Sequence, residues 1–226
     1  DSFRQHWKEK TCGENRDRMD ITLWGKQDYL VESIYKTGVP TIVILVNGRP
    51  LATGWVAENI PAVIEAWEPG SMGGKAIAEI LFGKVNPSGK LPITIPRHVG
   101  QISTVYNHKP SQFRHPYIDG DKTPLYPFGY GLSYTSFKYD QLKVNKVDYH
   151  ANEEIEVTVN VSNTGERQGE EVVQLYIRDD YSNTTRPVKE LKRFQRILLK
   201  KGESKVVSFR LNKKDLSYYT IKPNMY

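Results

Sequence analysis

Three segments in the second half of the chain alternate apolar and polar residues with period two. That pattern restricts this half to strands with one face buried. Ile155, Val157, Val159 and Val161 fall on one face, and Glu154, Glu156, Thr158, Asn160 and Ser162 on the other. Val173, Leu175 and Ile177 repeat the pattern, as do Val207, Phe209 and Leu211. Turn signals at Asn163-Thr164-Gly165 and Lys201-Gly202 lie between them, so an antiparallel β-sandwich is expected. No further alternating segment precedes Tyr226, so the sandwich is expected to be short of one or two strands. Tyr218 and Tyr219 are expected on opposite faces of a strand, which offers no aromatic row for a glycan.

The pattern changes near Tyr139. Before it, helical and strand segments alternate around Gly and Pro turns. Gln27 to Lys36 places Leu30 and Ile34 four apart, with Val31 and Tyr35 on neighbouring rows, as an amphipathic helix does. Gly38 and Pro40 end it. Thr41 to Val46 is a continuous apolar run, suited to the middle of a parallel sheet covered on both faces. Asn47-Gly48-Arg49-Pro50 then turns at the strand's C-terminal end, where open α/β sheets bind ligands. A second helix is marked by Ser71 as N-cap, a stripe of Ala76, Ile77, Ile80 and Leu81, and Gly83 beyond its end. The fold class is therefore α/β followed by all-β, divided into residues 1–138 and 139–226. Only one clear strand stands before Tyr139, so the rest of that sheet is expected from residues outside this chain, and both domains are expected to be partial.

Composition narrows the function classes. The 226 residues suffice for two cores. The formal charge of +6 comes from Lys and Arg interrupted by acidic residues, a solvated surface and no nucleic-acid stripe. No apolar run reaches the ~18–20 residues that cross a bilayer. Cys12 is the only cysteine, so neither an intrachain disulfide nor a cysteine metal site is expected. The five histidines lack zinc-site spacing, and no cofactor is called for. The single cysteine is compatible with export or with the cytoplasm.

Several segments carry a family resemblance in sequence order. Gly13-Glu14-Asn15-Arg16-Asp17-Arg18-Met19-Asp20-Ile21 resembles S-G-E-x-x-x-R-x-D-[IL], followed by Gly25-Lys26-Gln27. Val43 to Pro50 resembles V-V-L-x-[NS]-G-R-P, and Ala66-Trp67-Glu68-Pro69-Gly70 with Gly73-Gly74 resembles A-W-x-P-G-x-x-G-G. Phe82 to Pro92 matches F-G-x-x-N-P-S-G-[KR]-L-P. Tyr106-Asn107-His108-Lys109-Pro110 and Pro124 to Tyr134 complete the series. Together these are similar to the C-terminal part of family 3 glycoside hydrolases, the β-glucosidases and β-xylosidases. The resemblance implies an α/β sandwich domain and a fibronectin type III-like domain. It also implies an N-terminal barrel partner, absent from these residues, that supplies the nucleophilic aspartate, and a β-linked oligosaccharide or glycoside as substrate. A homo-oligomer is compatible with it.

Retaining glycosidases use two carboxyl groups ~5–5.5 Å apart, one as nucleophile and one as acid and then base. The family resemblance assigns the acid/base role to Glu14. Glu9, between Lys8 and Lys10, is the second candidate, although those lysines favour an ionised carboxylate. Arg16 and Arg18 flank Glu14 and would lower its pKa unless they face elsewhere; Arg18 and Asp20 are expected to brace the loop. Trp7 offers an aromatic face for a sugar ring, or else a packing anchor for the loop. Trp24, Trp55 and Trp67 are expected in the core, and Asn107 to Pro110 in a structured turn. The competing reading is a non-catalytic structural or carbohydrate-binding module.

Overall fold

The structure, a computed structural model, describes residues 17–102, 104–111, 117–150 and 153–219. Contacts gather them into two compact units that do not follow chain order. One takes the described residues of Asp1–Ile77, Ile93–Val105 and His115–Phe128, the other those of Ala78–Pro92, Tyr106–Arg114 and Gly129–Tyr226.

The first unit opens with helix α1 (Gln27–Tyr35) and strand β1 (Ile42–Leu45). Gly38, with φ +76, supplies the left-handed residue that turns the chain out of α1. Helix α2 (Gly54–Asn59) carries the chain to β2 (Ala62–Glu65), which pairs parallel to β1 from Ile42↔Ala62 to Leu45↔Glu65. A short helix between parallel strands is the crossover such pairing requires. Neither α2 nor β2 was expected. Six residues are too few to show helical periodicity, and Ala62-Val63-Ile64-Glu65 has no alternation.

Val43, Val56 and Ile60 are buried together, with Leu23, Val31, Leu45, Trp55 and Val63 packed around them. The contact row of α1 differs from expectation. Val31 meets the core and Tyr35 sets its ring edge-on to Trp55 at 5.6 Å, while Leu30 and Ile34 are exposed. Ile42 and Ile44 are exposed too, so among the described residues β1 is covered on one face only. Helix α3 (Gly73–Leu81) begins two residues beyond Ser71. Gly83, with φ +70, donates its N–H to the Ile80 carbonyl at 2.9 Å and closes the helix as expected.

The second unit contains two antiparallel sheets. One is β3 (Phe137–Val144), β4 (Ile155–Asn163) and β7 (Ser204–Leu211); the other is β5 (Gly169–Ile177) and β6 (Glu190–Leu199). The alternation in β4 and β7 is realised as expected, and Val157, Val159, Val161, Val207, Phe209 and Leu211 are buried. Val173, Ile197 and Leu199 meet Val159, Val161, Val207 and Phe209 from the other sheet, giving the interdigitated core of a sandwich. β3 and β6 had no clean alternation. A register shift between Asp140 and Lys143, with Gln141 at φ 53, breaks the first; charged residues from Glu190 to Arg193 mask the second. Tyr218 lies beyond helix α4 (Lys213–Leu216) and outside any strand, contrary to expectation. Its hydroxyl donates to Asn183 Oδ1 at 2.9 Å, and the Arg186 guanidinium stands 4.4 Å from its ring centre.

Asn163 ties the sandwich together. Its Nδ2 donates to the carbonyls of Leu199 at 3.1 Å and Arg167 at 2.7 Å, and its Oδ1 accepts from Thr135 Oγ1 at 2.7 Å. The motif Asn86-Pro87-Ser88-Gly89-Lys90 is gripped by the same unit. Asn86 Nδ2 donates to the Gln168 carbonyl at 3.0 Å, and Lys90 Nζ pairs with Glu171 at 3.1 Å while donating to the Gly131 carbonyl at 2.9 Å. A side chain at Gly131 would collide with the Gly89 carbonyl oxygen, so this close passage needs glycine. Glu171 also accepts from Tyr139 Oη at 2.8 Å; burial and this carboxylate push the phenol well above its usual pKa. Lys90→Met leaves Glu171 buried without its cation and should cost about 3 kcal/mol of unfolding free energy, whereas Lys90→Met with Glu171→Leu should cost less. Urea unfolding of both variants checks the order; equal costs would mean that the pair carries no buried charge.

Candidate functional site

Two turns leave the C-terminal ends of the parallel strands side by side: Asn47-Gly48-Arg49-Pro50 after β1 and Ala66-Trp67-Glu68-Pro69-Gly70 after β2. The backbone joins them, because Ala66 N–H donates to the Leu45 carbonyl at 2.9 Å and Asn47 N–H to the Trp67 carbonyl at 3.1 Å. Trp67 takes φ 52, a conformation costly for a bulky residue. Its N–H donates to Glu65 Oε1 at 3.1 Å, and Asn47 Nδ2 donates to Glu65 Oε1 at 3.2 Å and Oε2 at 3.3 Å. A Cβ at Gly48 would stand 2.9 Å from Glu68 Oε1, an exposed side-chain end that can move aside.

Half-burial raises the Glu65 pKa above its ordinary range, against the lowering effects of the Trp67 and Asn47 hydrogen bonds. Both carboxylate oxygens are engaged by these donors. The group is therefore placed to hold the two turns in register, and it does not offer a free proton to a ligand.

Arg49 extends the same cluster. Its N–H donates to Asn47 Oδ1 at 3.2 Å, and its mostly buried guanidinium forms an ion pair with Asp17 through Nη1. That nitrogen is fully buried and has no aligned hydrogen bond. Ala52 N–H adds a backbone bond to the Ile21 carbonyl at 2.9 Å. Arg18 turns its guanidinium over Trp24, 4.4 Å from the ring centre, and Asp20 Oδ1 accepts from Thr22 N–H at 2.8 Å. That backbone bond holds the Asp20 pKa below its usual value. Asp17 and Ile21 are thus tied to the segment that follows the C-terminal end of β1.

Glu14, Glu9 and Trp7, the residues singled out for chemistry and sugar stacking, lie outside the described residues, as does Cys12. Trp24 is 40% exposed and sits under Arg18, so it is no core residue; Trp55 packs on the core as expected. The segment at His108 is a structural staple in the second unit: the His108 carbonyl accepts from Val188 N–H at 2.9 Å, and Lys109 Nζ donates to the Thr185 carbonyl at 2.7 Å. The sequence places the Asn47-Gly48-Arg49-Pro50 turn where open α/β sheets bind ligands, but leaves Glu65 without a role. The signal for Glu65 was positional too, since it stands at the end of a parallel strand. Among the described residues, no three His, Cys, Asp or Glu side chains gather to hold a metal ion, and no helix is long and apolar enough to cross a membrane.

A carboxyl group with a raised folded-state pKa binds its proton more tightly in the folded chain. Its ionisation therefore lowers stability as pH rises from the ordinary value of 4.5 through the raised one. The urea midpoint of the wild type, relative to Glu65→Gln, should fall across that window and level off above it. A pH-independent difference would show that Glu65 titrates alike in the folded and unfolded chain.

Comparison with known proteins agrees with the resemblance carried by the motifs. Residues 4–134, more than half of the chain, match the glycosyl hydrolase family 3 C-terminal domain, and residues 171–225 match a fibronectin type III-like domain. A beta-xylosidase of Formosa agariphila is 50% identical over 211 residues, covering 92% of this chain and 29% of that protein. A periplasmic beta-glucosidase of Salmonella typhimurium is 41% identical over 216 residues, covering 91% and 28% respectively. Among solved structures, a β-glucosidase from Erythrobacter marinus superposes with a TM-score of 0.89 at 47% identity, over 93% of this chain and 28% of that one. The Listeria innocua β-glucosidase in complex with isofagomine gives 0.87 at 35% identity, over 93% and 31%. The chain spans less than a third of the length of each of these relatives. With an α/β region tied at its strand ends and antiparallel sheets after it, the chain belongs to glycosyl hydrolase family 3 and carries its C-terminal and fibronectin type III-like domains.

Proposed function

We propose that these residues are part of an exo-acting, retaining β-glycosidase that removes terminal β-glucosyl or β-xylosyl residues, and that Glu14 is its acid/base. The single observation that carries this reading is the anchoring of the segment after Glu14. Asp17 to Leu23 is tied to the C-terminal edge of β1 and β2 by Arg49 and Ala52, the edge at which α/β folds present loops to ligands. A loop held there is suited to carrying a carboxyl group to an active site built on another domain. Arg18, which would depress the pKa of a neighbouring acid, is committed to the Trp24 face instead.

In this reading the barrel of the same protein supplies the nucleophile and the sugar pocket. Glu14 protonates the departing oxygen, then deprotonates the water that releases the sugar from the covalent intermediate. The relatives support the substrate class: they include beta-xylosidases and beta-glucosidases, and the Listeria innocua β-glucosidase was solved with glucose. Without the partner carboxylate the 226 residues on their own should not hydrolyse glycosides. Within the second unit, the sandwich grips Asn86 to Lys90, which fits a supporting role for this unit.

The test uses the full-length protein with p-nitrophenyl β-glucoside and β-xyloside. An aryl leaving group barely needs a proton, so Glu14→Gln should spare glycosylation and slow release of the enzyme-bound sugar by about 100-fold or more. Azide, which needs no general base, should restore turnover, and Glu9→Gln should behave as wild type. Unchanged kinetics in Glu14→Gln would remove the assignment, and a wild type inactive on both glycosides would remove the β-glycosidase reading.

A further inference from the structure

We propose that Asn47 is a site of spontaneous deamidation, guarded by Glu65, and that its conversion to an acid sets the two strand-end turns against each other. Asn47-Gly48 is the only asparagine–glycine pair in the sequence. Glycine has no side chain to shield its own amide nitrogen, so that nitrogen can attack the asparagine side chain before it. The Gly48 nitrogen bonds to Asn47 Cγ, and Nδ2 leaves as ammonia with the proton that the glycine nitrogen gives up. Water then opens the resulting cyclic imide. Cleavage at the former side-chain carbonyl gives aspartate; cleavage at the backbone carbonyl gives isoaspartate, which carries an extra atom in the main chain. Gly48 is exposed, so water reaches the site.

In the folded chain the Asn47 amide is held at both ends. Nδ2 donates to Glu65 Oε1 at 3.2 Å and Oε2 at 3.3 Å, and Oδ1 accepts from the Arg49 N–H at 3.2 Å. The Asn47 N–H donates to the Trp67 carbonyl at 3.1 Å. These partners fix which end of the amide is nitrogen, because a carboxylate only accepts and an N–H only donates. Ring closure needs Cγ to close on the Gly48 nitrogen and Nδ2 to depart, and both motions strain the bonds that hold the amide. The reaction therefore waits for local opening of the turn. Its product cannot return to the same arrangement. Aspartate puts an acceptor where Nδ2 donated, so two carboxylates face each other at hydrogen-bond distance with no donor between them. Isoaspartate also lengthens the chain between β1 and Arg49, whose guanidinium pairs with Asp17. The tie between the turns is thus perishable, and one chemical event turns it into a repulsion.

The test uses the full-length protein, wild type and Glu65→Ala, incubated at mildly alkaline pH with and without guanidinium chloride. The peptide carrying Asn47 is then resolved by mass and retention into its amide, aspartate and isoaspartate forms. Conversion should be at least about 10-fold slower in the folded wild type than in denaturant, and Glu65→Ala should lose most of that difference. Asn47→Asp, which stands for the direct product, should lower the urea midpoint by about 0.5 M or more. Adding Glu65→Gln to it should bring the midpoint back towards wild type. The new amide can donate to the new carboxylate while its oxygen accepts the Trp67 N–H, which reverses the bond and keeps every partner. That double variant also reads the contact if Glu65→Ala fails to fold. No conversion at Asn47 in denaturant would remove the site. Equal rates in the folded and unfolded wild type, or in folded wild type and Glu65→Ala, would remove the guard. An Asn47→Asp midpoint equal to wild type, or a double variant no more stable than the single one, would remove the repulsion.

Discussion

A single carboxylate at the end of β2 fixes how the turns after the two parallel strands meet. Glu65 receives the Trp67 N–H and the Asn47 side chain, which brings the turns after both strands into one hydrogen-bonded cluster. The unfavourable backbone of Trp67 is held by these bonds, and the Arg49 backbone N–H is held by Asn47 Oδ1. Half-burying a carboxylate is itself costly, and only the full use of its oxygens makes it tolerable. One carboxylate thus holds the two turns together.

The second unit is held by a different balance. Its core is apolar and fills the space between two sheets, but the loops that close it depend on buried polar contacts. Asn163, almost wholly buried, connects β4 to the end of β6 and to Thr135. Lys90 and Glu171 do the same for the glycine-rich motif. Such groups add little net stability compared with apolar packing, yet they allow only one arrangement of the segments they join.

Most of the sandwich was legible because its strands have one wet and one dry face. β4 and β7 declare themselves through alternation, and the turn after Lys201 through Gly202, at φ +73. β3 was hidden by a bulge that shifts its register at Asp140. β6 was hidden because charged side chains occupy its first half while only Ile197 and Leu199 reach the core. In the first unit the helix at Gln27–Tyr35 was legible, but its buried row was not. Leu30 and Val31 are both apolar, and periodicity alone does not say which of two adjacent rows meets a sheet. The site was the least legible part. Motif spacing drew attention to Glu14 and to both strand-end turns, whereas the part-buried hydrogen bonds through which Glu65 joins those turns have no local pattern.

The glycine-rich motif has a consequence for how the chain is made. Asn86 and Ser88 find partners in Gln168 and Glu170, 82 residues later. At a synthesis rate of 5–20 residues per second, roughly 4–16 s separate the emergence of the two ends. During that interval Lys90 has no Glu171 to meet, and Asn86 and Ser88 lack the partners that hold them in the folded chain. Gly89 and the proline at position 87 leave the motif poor in strand propensity, which limits wrong pairings in the meantime. The same residues that permit the tight final passage therefore also keep the nascent segment uncommitted until its partner strand arrives.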